Sequence, residues 1–312
     1  MKFGLLLHPE RGVEAVLAEA RQADDQGFDS VWLFDHLMEW RGHHGPDGPY
    51  DSYTLMVAVG AVTRRVRLAW AMLNPSFRYP AVLAKMLATL DHITHGRVIC
   101  SIGAGWFKEE YEAYHIPLLE DHEERIVQER EVVLLLKELW THPAPERVTF
   151  EGTYAQVTDL PFNPAPYQRP HPPIWIGGDS ETTLSLVKEL ADGWVMLRSG
   201  NAETLSKVLS APDWPKRAMT LVRSARVCVG ATHDEAMARA AEAYEAIGSA
   251  GMGAAPSLAE FAAREIVGTP EECSAHIREI EAWGITYLRL TFETEPHQEA
   301  AARLLLPLFA ES

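Results

Sequence analysis

Eight short runs of aliphatic and β-branched residues recur along the chain, each followed by a stretch with helical spacing. The runs are FGLLL at 3–7, SVWLF at 30–34, VRLAWAM at 66–72, RVICSI at 97–102, PIWIG at 173–177, GWVML at 193–197, ARVCVG at 225–230 and ITYLRLT at 285–291. Between them apolar residues return every three or four positions, as in Leu17, Ala20, Ala23 and Gly27, or Leu83, Met86, Leu87, Leu90 and Ile93. Strands that are apolar throughout need cover on both faces, and strand–helix alternation supplies it to a parallel sheet. Eight such units imply closure into a (β/α)8, or TIM, barrel. An open doubly wound sheet is the alternative. It usually carries GxGxxG after its first strand, where LLLHPERG stands here.

A chain of 312 residues fits this fold as one domain, residues 1–312. Two segments interrupt the rhythm. Residues 142–172 hold Pro143, Pro145, Pro161, Pro164, Pro166, Pro170 and Pro172 without helical periodicity, which predicts an extended excursion before the fifth strand. The stretch IGSAGMGAAPS at 247–257 predicts a mobile segment after the seventh strand, either a lid or a loose loop. With 28 Lys and Arg against 44 Asp and Glu, the net charge of -16 disfavours nucleic acid and anionic membrane as partners. The N-terminal apolar run is too short for a signal-peptide core, and no later run approaches about 18 residues, so a cytoplasmic location is expected. Cys100, Cys228 and Cys273 form no CxxC pair and read as small buried hydrophobes.

Barrel enzymes gather their chemistry where strands end. Those positions hold His8, Asp35 with His36, Leu73 with Asn74, Gly103-Ala104-Gly105-Trp106, Gly177-Gly178-Asp179-Ser180, Arg198, Ala231, and Thr291 with Glu293. An acid followed by histidine can orient a ring, relay a proton or ligate metal. A helix cap beside a surface histidine explains the same pair. Glycines at 103 and 105 let backbone approach a planar ligand. The stretch GGDSETT opens a helix after a strand and offers N–H groups and hydroxyls to an anion. It equally suits a plain cap by Asp179 or Ser180.

Taken together, these segments resemble the luciferase-like family of flavin and deazaflavin oxidoreductases over nearly the whole chain. LAKMLATLDHITHGRVICSIGAGWFKEEYEAYHI at 83–116 is the most specific block. ADDQGFDSVWLFDHL, PHPPIWIGG, ADGW and IVGTPEEC support it in order. The resemblance implies a ring in the barrel mouth with its phosphate near the fifth strand. Asp35 and His36 would then face ring or substrate. Ala71, Met72 and Asn74 would pass behind the ring, where the family often has a non-prolyl cis peptide. Gly103, Ala104, Gly105 and Trp106 would line it, and Gly177, Gly178, Asp179, Ser180 and Thr182 would receive the phosphate.

DHLMEW, with Trp40 four residues after His36, is similar to the branch that uses coenzyme F420, a 5-deazaflavin. The resemblance there gives catalytic roles to His36, Asp35 and Trp40. It implies hydride transfer between F420 and a small organic substrate. Reduced FMN with O2, supplied by a flavin reductase, is the alternative and would make the chain a monooxygenase. Two departures matter. ETTLSLV stands where many members carry a cation at the phosphate helix, and Trp106 stands where the sugar-phosphate dehydrogenases have a glutamate acid. The family also implies a homodimer through outer helices and, as a partner, a reductase. A metal-dependent hydrolase would need His and carboxylate ligands at several strand ends, and strand one lacks an HxH, so no metal is expected. A non-catalytic flavin-binding protein would usually lack part of the barrel. Trp32, Trp40, Trp70, Trp106, Trp175 and Trp194 allow an aromatic pocket, with Trp32 and Trp70 better explained as core.

Overall fold

The computed structural model describes residues 1–39, 49–196, 202–249 and 257–309. Its strands are β1 (Lys2–Leu6), β2 (Ser30–Leu33), β3 (Arg67–Trp70), β4 (Cys100–Ile102), β5 (Val148–Glu151), β6 (Gln156–Leu160), β7 (Ile174–Gly177), β8 (Gly193–Met196), β9 (Thr220–Val229), β10 (Ile266–Gly268) and β11 (Tyr287–Thr291). Eight of them form the parallel order β3-β2-β1-β11-β9-β8-β7-β4. Parallel bridges from Leu68 to Val98 and from Leu73 to Ile102 join the two ends, so the sheet closes into the expected TIM barrel. The helices that matter below are α1 (Val13–Gln26), α2 (Ser52–Val62), α3 (Pro80–Ile93), α4 (Lys108–Ala113), α5 (His122–Thr141) and α6 (Glu181–Leu190).

One residue from each barrel strand or its entry points inward. Leu6, Trp32, Ala69, Ile99, Trp175, Val195, Val222 and Tyr287 pack into a plug across the barrel. The Trp32 and Trp175 rings lie 5.7 Å apart. A Cβ at Gly193 would sit 2.6 Å from Trp175 Cδ1, so the glycine makes room for the indole. This plug confines any ligand to the mouth. The outward faces of the strands bury against the helices, for example Val16, Ala20 and Ala23 of α1. Trp140 Nε1 donates to the Ala84 carbonyl at 3.1 Å and ties α5 to α3.

Three features depart from the sequence reading. β9 starts at Thr220 rather than 225, because Arg223 and Ser224 break its apolar run. Both are accommodated: Arg223 lies 5.7 Å over the Trp283 ring, and Ser224 accepts from Arg289 at 2.6 Å. Residues 142–172 are not merely extended, since they hold the antiparallel β5–β6 hairpin. β10 adds a three-residue strand beside β9, too short to register as a run. Most of the 247–257 stretch, with Trp40, His43, His44 and Arg198, lies outside the described residues. All three cysteines are buried. Among the described residues no helix is long and apolar enough to cross a membrane.

Candidate active site

A cavity of about 770 Å³ opens at the C-terminal ends of β2, β3, β4 and β7. That volume falls in the range of about 300–1,000 Å³ usual for small-molecule and cofactor sites. The structure brings Asp35, His36, Ala71, Met72, Asn74, Gly103, Ala104, Gly105, Trp106, Gly177, Gly178, Asp179 and Ser180 together around it. Thr183 lines the wall instead of Thr182, whose hydroxyl lies 3.1 Å from Ser180 Oγ. Trp40 cannot be placed, being outside the described residues. His8, Thr291 and Glu293 belong to other strand ends and do not line the cavity.

The floor is kept flat by missing side chains. A Cβ at Gly177 would lie 2.5 Å from Met72 Cε, and one at Gly103 would lie 3.1 Å from Met72 Cγ. Gly105 has φ +73°, and a Cβ there would run into the Tyr111 hydroxyl. Burial pushes that hydroxyl's pKa up, so it stays protonated and donates to Asn74 Oδ1 at 2.9 Å. The Ala71–Met72 peptide is cis and non-prolyl, at the place where the resemblance puts one.

One end of the cavity suits an anion. Ser180 caps α6, accepting from the Thr183 N–H at 3.1 Å, and so presents the first turn of that helix to the cavity. The Gly178 carbonyl accepts from Trp194 Nε1 at 2.7 Å, which anchors the loop. His122 Nε2 lies 3.1 Å from Ser180 Oγ. Arg125 donates from Nη1 to the carbonyls of Leu119 and Glu120 at 2.6 and 2.9 Å, while its Nε is buried without a partner. Sequence reasoning missed His122 and Arg125, both from the start of α5. Arg125 did leave a signal: a cation within about one turn of a helix N-terminus opposes the helix dipole, which favours acids there.

The other end carries an imidazole among rings. His36 lies edge-on to Trp106 at 5.8 Å and to Phe107 at 6.0 Å. Its Nδ1 is 3.1 Å from Glu110 Oε1. Glu110 is fully buried on α4 and was also missed, because one acid among Glu109, Glu110 and Glu112 does not stand out. Trp106 is 60% exposed, whereas Trp32, Trp70, Trp175 and Trp194 are buried in the core.

Asp35 is occupied. Its carboxylate accepts from Ser52 Oγ at 2.5 Å, from the Asn74 N–H at 2.9 Å, and from Arg78 at 2.8 and 3.0 Å. Burial opposes the Arg78 charge, yet Asp35 and Asp51 outweigh it and hold the guanidinium pKa above its ordinary value. So Asp35 ties the end of β2 to β3 and α2. It is not a group left over for proton transfer, as the sequence reading had allowed. Among the described residues no cluster of His, Cys, Asp and Glu is placed to hold a metal ion.

A sequence model described as luciferase-like monooxygenase matches residues 1–287. The chain belongs to this family. Similar members include an F420-dependent glucose-6-phosphate dehydrogenase of Nakamurella multipartita, 37% identical over 215 residues, covering 66% of this chain and 58% of that protein. An FMNH(2)-dependent dimethylsulfone monooxygenase of Pseudomonas putida is 34% identical over 160 residues, covering 51% and 42%. The matched stretch thus spans less than two thirds of each of these relatives' length. Among solved luciferase-like folds, monooxygenase RslO1 from Streptomyces bottropensis superposes with a TM-score of 0.80 at 26% identity, covering 99% of this chain and 100% of that one.

Proposed function

We propose that this luciferase-like family member is a two-electron oxidoreductase that passes hydride between coenzyme F420 and a small organic substrate. The observation that carries the reading is one glycine-floored cavity with an anion-receptive end and an imidazole-and-ring end. The similarity to an F420-dependent dehydrogenase supports the choice of cofactor.

Arg125 Nε, His122, Ser180, Thr183 and the first N–H groups of α6 would hold the cofactor's phosphate. Arg125 thereby stands in for the cation absent from ETTLSLV. Gly103, Gly177 and Met72 would flank the ring, with Ala71, Ala104, Gly105 and Asn74 around it. When bound, the deazaflavin supplies a ring carbon that accepts or gives a hydride. His36 manages the substrate proton, and Trp106 and Phe107 exclude water from it. Asp35 positions this side of the mouth through Asn74 and Arg78. Trp106 leaves no carboxylic acid where the resemblance puts one in sugar-phosphate dehydrogenases, so a sugar phosphate is not the proposed substrate.

The proposal also takes the chain as one domain working in the cytoplasm, with a flavin or F420 reductase as the partner that recycles the cofactor. It includes a homodimer, supported by the exposed apolar Tyr79, Val82 and Ile93 on and beside α3. Light scattering would show twice the monomer mass, and a monomer would remove that part.

An FMN monooxygenase is the second reading, favoured by the end-to-end similarity to RslO1. Titrating the purified apoprotein with F420 and with FMN separates the two. We expect F420 to bind at micromolar or lower concentration, and Arg125→Gln to weaken it roughly 10- to 100-fold, the loss of one charge-assisted hydrogen bond. Preference for FMN would establish the second reading. Binding of neither would end both.

A further inference from the structure

We infer that Glu110 is a positioning residue that fixes His36 as its Nδ1–H tautomer, which makes Nε2 the proton-accepting nitrogen of the ring. The role assigned to His36 rests on the proposed function. The tautomer itself rests on geometry alone.

The two oxygens of Glu110 do different things. Oε2 accepts the backbone N–H groups of Leu37 and Met38, at 2.5 and 3.3 Å. This staples the loop after β2 onto α4. A staple needs nothing more, yet Oε1 is turned to His36 Nδ1 at 3.1 Å. A carboxylate has no proton to give, so the hydrogen in that contact belongs to the imidazole. A neutral imidazole carries one N–H, which leaves the lone pair on Nε2. Trp106 and Phe107 meet the ring at interplanar angles of 81° and 76°, and they resist the ring flip that would exchange the two nitrogens. The sequence separates the partners by 74 positions, which is why only the fold reveals them.

Glu110→Gln makes a sharp test, because its geometry dictates which way the amide sits. The Leu37 and Met38 N–H groups still require an oxygen. The amide oxygen therefore takes the Oε2 place, and the NH2 group faces Nδ1 and donates to it. The loop stays stapled while the His36 proton is forced to Nε2.

The measurement is a 15N–1H spectrum of imidazole nitrogens in the apoprotein, above the pH at which His36 is charged, with the His36 signals identified by their loss in His36→Gln. We expect the wild-type ring to be protonated on Nδ1, and Glu110→Gln to move that proton to Nε2. A wild-type ring protonated on Nε2 overturns the inference without any variant being needed. A Glu110→Gln ring that keeps the wild-type tautomer overturns it as well, since Glu110 would then be a loop staple and nothing else. No cofactor enters this experiment. Failure of F420 and FMN to bind would therefore sink the proposed function while leaving the tautomer to be judged separately.

Discussion

On the arc formed by β7, β4, β3 and β2, the strand ends carry Gly177, Gly103 and Met72, and a cavity stands over them. On the arc formed by β1, β11 and β9, the equivalent height is filled with charge. Arg226 pairs with Glu293 at 2.9 Å and lies 3.8 Å from Glu265, Arg11 donates to the Glu293 carbonyl at 3.1 Å, and His8 Nδ1 meets Glu10 at 2.9 Å. One barrel thus treats its two sides oppositely. One side is emptied by omitting side chains. The other is filled by side chains that pair with one another. What marks the open arc is glycine, with Arg125 on the cavity wall carrying a buried Nε that no protein group satisfies.

The comparison breaks first at its ion pairs. Asp35→Asn leaves Arg78, mostly buried, with Asp51 as its remaining carboxylate, and one amide oxygen cannot serve Ser52, the Asn74 N–H and both Arg78 nitrogens as the carboxylate does. Removing one partner of a buried pair typically costs about 3–5 kcal/mol. Because Asp51 persists, we expect about 3 kcal/mol, read by urea denaturation, together with weaker cofactor binding as the donors around position 35 rearrange at the cavity edge. Arg226→Gln on the filled arc removes a pair that is partly open to solvent, so about 1 kcal/mol is expected, with cofactor affinity unchanged. Equal losses of cofactor affinity in the two variants would mean that the arcs are not functionally distinct.

The barrel was legible because its evidence is periodic. Eight apolar runs and the helices between them are local patterns, but runs apolar throughout do not tell which residues point inward, so Trp175, offered as a pocket aromatic, is found in the plug. The glycines and polar groups of the open arc were legible for a related reason, since they sit next to strand ends in sequence. Arg125, His122 and Glu110 were not. They come from helices, and His122 and Arg125 reach the cavity, and Glu110 the His36 ring, only after the chain has folded. Asp35 shows the opposite error. Its position at a strand end was read correctly, but its partners Arg78 and Ser52 lie 43 and 17 residues away, so its saturation was invisible. Strand-end logic finds which residues border a mouth; it does not tell which of them are already satisfied.

The last contrast runs along α5. Arg125 and Glu129 are one helical turn apart, a spacing at which opposite charges normally meet. Here Glu129 is fully buried with both oxygens unpartnered, and Arg125 Nε is unpartnered too. Burial pushes the Glu129 carboxyl up to about 8, far above the 4.5 of an unhindered glutamate. Near neutral pH it is therefore an uncharged acid and does not compete for the guanidinium that borders the cavity. The consequence for stability has a definite sign. Between pH 4.5 and about 8 the folded protein keeps a proton that the unfolded chain has released, so the contribution of Glu129 falls as pH rises. The slope is roughly 1 kcal/mol per pH unit. Glu129→Gln removes that proton exchange while keeping the shape. We expect urea unfolding to find the variant and the wild type close at pH 5 and the variant increasingly favoured toward pH 8. Parallel stability curves across that window would mean that Glu129 is ionised in the folded protein, and Arg125 would then be its partner rather than an open group at the cavity wall.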